Sequence, residues 1–295
     1  MNLPNGHFDK VNLTRPEPPA RSLPVTARLA RNTAWNFEQW LRALVQPPRA
    51  NYVRPSALAV AAVMVTSFLV VASMFLIDAR AVDWARHEPN WVRELFECIT
   101  DFGLSGWFLF PLGFFLPVLA ALNAPELTRV TQGVLVALAA RFGFLFLAIG
   151  LPGLFVTIVK RLIGRARPYV GGYVDPFAYM PFVWRPEYAS MPSGHATTSV
   201  AAALAFGAIW PRTRVVMWLY AVTIMVSRVA VLAHHASDVI AGALVATVGV
   251  TLIRRWFAAR RLVFQPKDLK VCPAPSMRRT AAALREAVSA FRARS

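Results

Sequence analysis

Three short segments of this 295-residue chain hold residues that could do chemistry together: KRLIGRARP (160–168), PSGH (192–195) and SRVAVLAHHASD (227–238). Lys160, Arg167 and Arg228 offer fixed positive charge, and several cations at one spot call for a multiply charged anion. Arginine presents a planar fork that fits phosphate oxygens, and lysine adds a compact charge. Ser193 and Gly194 precede an apolar run, so they would open a helix whose first backbone N–H groups are free to bind an anion. Binding alone needs no histidine. Cleaving a phosphate ester without a metal does: one imidazole attacks phosphorus, a carboxylate holds that ring in the right tautomer, and a second imidazole protonates the leaving oxygen. His195, His234, His235 and Asp238 supply those groups.

Taken singly, each residue has an ordinary reading. Ser193 would cap a helix, as would Asp238. Arg161 and Arg165 read as anchors at a membrane boundary. Arg228 is harder to dismiss: it reads as lying some six residues inside an apolar helix end, where an unpaired charge costs about 2.5–3.5 kcal/mol. Spacing sets further conditions. Lys160 and Arg167 are seven apart and would align on an intact helix, but Pro168 disfavours helix at Arg167. His234 and Asp238 are four apart and share a helical face, whereas Arg228 and His234 do not. The chain must therefore bend near Ala233, or else His235 faces Arg228; spacing leaves both open.

The elements that position these groups follow from composition. Hydrophobic residues make up 56% of the chain and charged residues 16%, well below the charge of a soluble domain. The apolar residues come in runs near or above membrane-spanning length. We expect an all-α polytopic helix bundle with six transmembrane helices, at about 57–77, 104–122, within 130–159, 196–210, 215–233 and 239–256. Arg141 would mark the cytoplasmic boundary of the third. An interfacial N-terminal helix over 28–46 precedes them, basic and studded with Trp35, Phe37, Trp40 and Leu44, with packing against the protein as the alternative. The expected division is a disordered and amphipathic cytoplasmic segment (1–54), a membrane domain (55–257) and a basic amphipathic tail (258–295). Six spans put both termini on one side. The formal charge of +17 sits in the tails and in PRTR (211–214), which places that side in the cytoplasm. The basic tails imply attraction to an anionic lipid bilayer, not nucleic acid. Cys98 and Cys272 fall on opposite sides, so no disulfide is expected. By this parity Lys160, Arg167, His195, Arg228, His234 and Asp238 meet at the outer face.

With those residues in place, the sequence resembles the type-2 phosphatidic acid phosphatases, the membrane branch of a superfamily that also holds vanadium haloperoxidases and soluble acid phosphatases. The pattern is Lys, six residues, Arg-Pro; then Pro-Ser-Gly-His; then Ser-Arg, five residues, His, three residues, Asp. It is met here by Lys160 to Arg167-Pro168, by Pro192-Ser193-Gly194-His195, and by Ser227-Arg228 to His234 to Asp238. The resemblance covers about 130–256. It implies that His234 is the nucleophile, Asp238 its orienting partner and His195 the general acid. Lys160, Arg167, Ser193, Gly194 and Arg228 would hold the phosphate. It further implies a metal-independent enzyme without cofactor, inhibited by vanadate.

The expected substrate is a phosphorylated membrane lipid whose tails stay in the bilayer while its phosphate enters the cup. Undecaprenyl diphosphate or a similar lipid phosphate is the leading expectation, with phosphatidate, phosphatidylglycerol phosphate and the phosphates of lipid A as alternatives. The expected location is a bacterial inner membrane, with the site facing the periplasm. The aromatic loop 169–188 would either line the headgroup entrance or pack over the helix ends. Halide oxidation and non-catalytic lipid-phosphate binding or transport are the rival classes.

Overall fold

A computed structural model describes residues 24–49, 56–172 and 175–292. The expected disorder of the first residues and the division at 54/55 fall outside that range. The chain is a bundle of α-helices; among the described residues no strand forms, only two isolated bridges. The helices are α1 (Val25–Val45), α2 (Ala57–Leu76), α3 (Asp78–His87), α4 (Asn90–Thr100), α5 (Gly106–Leu122), α6 (Arg129–Ile163), α7 (Gly194–Ile209), α8 (Arg214–Ala230), α9 (Ala236–Ala259) and α10 (Met277–Arg292).

Among the described residues, five helical segments are long and apolar enough to cross a membrane: Ala57–Leu76, Asn90–Leu122, Arg129–Ile163, Pro211–Ala230 and Ala236–Ala259. The fourth expected span corresponds to α7, apolar but only 16 residues long. At 1.5 Å per residue it extends about 24 Å, short of the hydrocarbon core. It takes the middle of the bundle, packed against α6, α8 and α9. Most of its residues are small and buried, with Ala201, Ala202 and Ala205 fully enclosed. Without a hydrophobic drive between helices inside a bilayer, close packing through small residues is what holds them together.

The tightest approach is between α7 and α9. A Cβ on Gly242 would lie 2.5 Å from the Ser193 carbonyl oxygen and 3.0 Å from Thr197 Oγ1. Thr197 Oγ1 donates to the Gly242 carbonyl at 3.1 Å, and Ser193 N–H donates to the Asp238 carbonyl at 2.9 Å. The second and third motifs are thus joined backbone to backbone.

At the opposite end, Phe144 packs edge-on against Phe257 and Phe264. Arg141 corrects an expectation. It is not an anchor facing lipid headgroups: it is 5% exposed and donates to the carbonyls of Ala137, Cys272 and Pro273 at 2.9, 2.9 and 3.1 Å. The physical reason is that α6 runs unbroken for 35 residues, so Arg141 lies well inside a helix covered by the C-terminal segment. Helices α1 and α10 pack at this end as well. Asn36 donates to the carbonyls of Ala120 and Asn123, and Glu286 of α10 caps α6 by accepting from Thr128 and Thr131. Both terminal helices are thereby held against the bundle through polar contacts.

Gly242→Ala tests the α7–α9 junction. The added methyl must push Ser193 away, and displacements near 1 Å at reacting groups cost up to about a hundredfold. We expect turnover at the site these motifs form to fall by roughly tenfold or more, with elution in detergent unchanged.

Candidate active site

Four helix ends converge. The C-terminal turns of α6 and α8 carry Lys160 and Arg228, and the N-termini of α7 and α9 carry His195 and Asp238. Cations suit helix C-termini, and helix N-termini suit anions, so the cations in the two last turns and the free N–H groups of the two first turns favour a negatively charged ligand held among them.

Each motif reaches this point through a local break. Helix α6 stops at Gly164, which is left-handed at φ 65°; a Cβ there would fall 1.9 Å from the Met180 carbonyl oxygen. The chain then leaves helical geometry, and Arg167 donates its N–H to the Glu187 carbonyl. Intact-helix alignment with Lys160 is therefore not how the two cations meet. Ser193 caps α7 through a long 3.5 Å contact with the Ala196 N–H and is fully buried. A Cβ on Gly194 would meet nothing within 4 Å, so room remains above this helix start. Helix α8 ends at Ala230, which places Arg228 in the last turn and not six residues inside. Leu232 turns left-handed at φ 55°, and the N–H groups of Ala233 and His234 both donate to the Arg228 carbonyl. The bend comes at Leu232, one residue before the expected position, and folds His234 back beside Arg228.

His234 Nδ1 stands 3.8 Å from Asp238 Oδ2, about 1 Å beyond a hydrogen bond. His235 instead sits at the α9 cap, where its N–H donates to Asp238 Oδ2 at 2.9 Å. His195 lies within electrostatic reach of Arg228, His234, Lys160 and Arg167. Burial, opposed by the nearby Asp238 carboxylate, lowers the His234 imidazole to about 4, so the ring is neutral at physiological pH. Above these groups opens a cleft of about 490 Å3 whose walls include Arg167, Arg228, Tyr169, Thr100, Glu97 and Asp101. Arg228 Nη1 donates to Thr100 Oγ1 at 2.6 Å, while its buried Nε has no hydrogen-bond partner among the described residues. Of the aromatic loop, Tyr169 lines this cleft. Phe177 packs at a tilt against Phe75 of α2, and Phe182 and Trp184 project outward. The loop thus divides between the cleft, through Tyr169, and the side of α2, through Phe177.

Residues 141–262 match the family model of the PAP2 superfamily. The chain is 35% identical over 184 residues to a lipid A 1-phosphatase of Rhizobium johnstonii, covering 62% of this chain and 74% of that protein. The corresponding Rhizobium etli protein matches at 35% over 184 residues, 62% of this chain and 78% of its own. The chain belongs to the PAP2 superfamily. Its class of activity is that of a membrane lipid phosphatase. Among solved structures, a transmembrane PAP2 type phosphatidylglycerolphosphate phosphatase from Bacillus subtilis superposes with a TM-score of 0.42 at 19% identity, over 66% of this chain and 93% of that one.

This PAP2 protein contains a buried network that motif reading missed. Arg165 is no boundary anchor. It is fully enclosed, with Nη1 2.5 Å from Asp238 Oδ1 and Nη2 2.8 Å from Asp78 Oδ2. Asp78 also accepts from the Ser237 N–H at 2.9 Å and from Ser237 Oγ at 2.5 Å, and Ser190 Oγ donates to Asp238 Oδ2 at 2.6 Å. One sequence signal was available for Asp78: it is the first charged residue after an apolar run of membrane-spanning length, where a carboxylate kept from water calls for a partner. Arg165→Ala leaves two buried carboxylates without their shared partner, a loss of about 3–5 kcal/mol. Thermal unfolding in detergent should show a clear fall in Tm, and a smaller one for Asp78→Asn/Arg165→Gln, which removes the pair together.

Proposed function

We propose that the chain hydrolyses a phosphorylated lipid headgroup through a phosphohistidine on His234. The carrying observation is the neutral, buried His234, with Asp238 3.8 Å from its Nδ1 and its N–H on the carbonyl of Arg228, which together with Arg167 lines the adjoining cleft. With Nδ1 turned to Asp238, Nε2 is left for phosphorus. Attack forms the N–P bond and breaks the ester P–O bond. Burial and the surrounding cations lower the free His195 imidazole to about 3, so it takes up a proton together with the bound phosphate, whose negative charge offsets those cations, and gives it to the departing oxygen. Water then attacks phosphorus, His195 takes the proton back, and phosphate leaves as the N–P bond breaks. Lys160, Arg167, Arg228 and the Ser193-Gly194 helix start bind the phosphoryl oxygens and stabilise charge in the transition state. These cations fill the electrostatic role a metal would otherwise take, so activity should survive a chelator.

Among the lipid phosphates, we place first a phosphorylated saccharide lipid of the lipid A type. The two Rhizobium relatives carry that activity in their names, and the cleft is far roomier than a phosphate, with Glu97, Asp101 and Tyr169 able to meet sugar hydroxyls. We place the enzyme in a bacterial inner membrane with the cup facing the periplasm, because α1, α10 and the PRTR turn, all rich in arginine, lie at the other end of the bundle.

A panel of lipid A, undecaprenyl diphosphate, phosphatidate and phosphatidylglycerol phosphate, offered to purified enzyme with chelator present, tests this reading through phosphate release. Lipid A should be cleaved fastest, and His234→Ala and His195→Ala should each lose at least about a hundredfold. Full activity in either variant overturns the assigned roles. The His234 ring provides a second test. Unfolded histidine titrates near 6.5 and this one near 4, so the unfolded chain binds the extra proton first. Stability from this group is complete above about 6.5 and is lost as pH falls through 4. The imidazole NMR signal missing from His234→Ala should therefore titrate well below 6.

A further inference from the structure

The structure assigns Asp78 as a positioning residue for the phosphatase reaction: by sharing Arg165, it keeps Asp238 anionic enough to support positive charge on His234. This rests on the proposed role of His234. Asp78 lies outside the 141–262 stretch that matches the family model, at the start of α3 directly after α2, yet it is fully enclosed beside the site.

The geometry gives Asp78 more than a structural task. Arg165 donates one nitrogen to each carboxylate, Nη1 to Asp238 and Nη2 to Asp78, so its single charge is divided between two anions. The trio carries a net charge of minus one. If Arg165 paired with Asp238 alone, Asp238 would be fully neutralised, and nothing on that side would offset the cations facing His234. Those are Arg228 and Arg167, with His195 close by. His235 and Tyr179 also face the trio. A nucleophilic imidazole becomes cationic as it bonds to phosphorus. A carboxylate that keeps its charge lowers the cost of that step, and one fully matched by a guanidinium does not. Asp238 Oδ2 accepts from Ser190 Oγ and the His235 N–H, so the oxygen nearer His234 is fixed in place while Asp78 takes a share of Arg165.

Opposite shifts from two variants separate this role from simple support. Asp78→Asn keeps the shape and gives Arg165 wholly to Asp238. Asp78→Asn/Arg165→Gln removes both and leaves Asp238 unopposed. Against wild type, the His234 NMR titration in free enzyme should move to lower pH in the first and to higher pH in the second, each by roughly half a unit or more. In Asp78→Asn, kcat should fall by roughly tenfold while KM changes little, the scale on which partners behind a reacting group act. A purely structural Asp78 would shift both titrations the same way or neither, and that result overturns the assignment. If Asp78→Asn does not accumulate folded, the double variant decides by the direction of its shift. His234→Ala runs alongside: inactive, it leaves the proposed function standing whatever Asp78 does, and fully active, it removes that function and this inference together.

Discussion

Everything in this site depends on burying Asp238 as an anion. A carboxylate without water is stable only when donors meet its lone pairs. Here Arg165 comes from the segment after α6, Ser190 from the segment before α7, and the His235 N–H from the α9 cap. Its own carbonyl accepts from Ser193. One residue therefore draws three sequence motifs to a single point. The demand for donors is what turns a set of apolar helices into one arrangement of helix ends and not a family of sliding alternatives.

Helix geometry does the rest. Alternating direction along the chain places C-termini of α6 and α8 beside N-termini of α7 and α9, so cations in last turns and free N–H groups in first turns share one level. The dipoles of two C-termini and two N-termini offset one another, so it is the cationic side chains of the last turns that tip this level towards phosphate. The side chains then refine it: Arg228 is held by Thr100 with Nε left over, and Gly194 leaves space above its helix.

Much of this was readable in the sequence. The apolar runs located α2, α5, α6, α7, α8 and α9 to within a few residues, because hydropathy is a property of the segment itself. The gathering of Lys160, Arg167, His195, Arg228, His234 and Asp238 followed from parity alone. What was not readable depends on partners far along the chain. Arg165 looked like an anchor because its partner Asp78 is 87 positions away. Arg141 looked like a boundary residue because nothing in a continuous apolar run says where the C-terminal segment will lie across it. The depth of Arg228 was misjudged because α8 ends through a left-handed Leu232, where glycine or asparagine would have given the stop away.

The carboxylates also explain how a cup this cationic can stay folded and still bind phosphate. Lys160, Arg167 and Arg228 repel one another, which calls for counter-charge nearby, yet a carboxylate placed among them would compete with the substrate. The structure separates the two demands. Asp78 and Asp238 lie behind the reacting ring with their oxygens taken by Arg165, Ser190, Ser237 and backbone N–H groups, so they offset the field without coordinating the arginines that face the cleft. Glu97 and Asp101, which do reach the cleft, sit on exposed positions where water screens them. A phosphate entering from the cleft side meets donors that no internal anion has claimed.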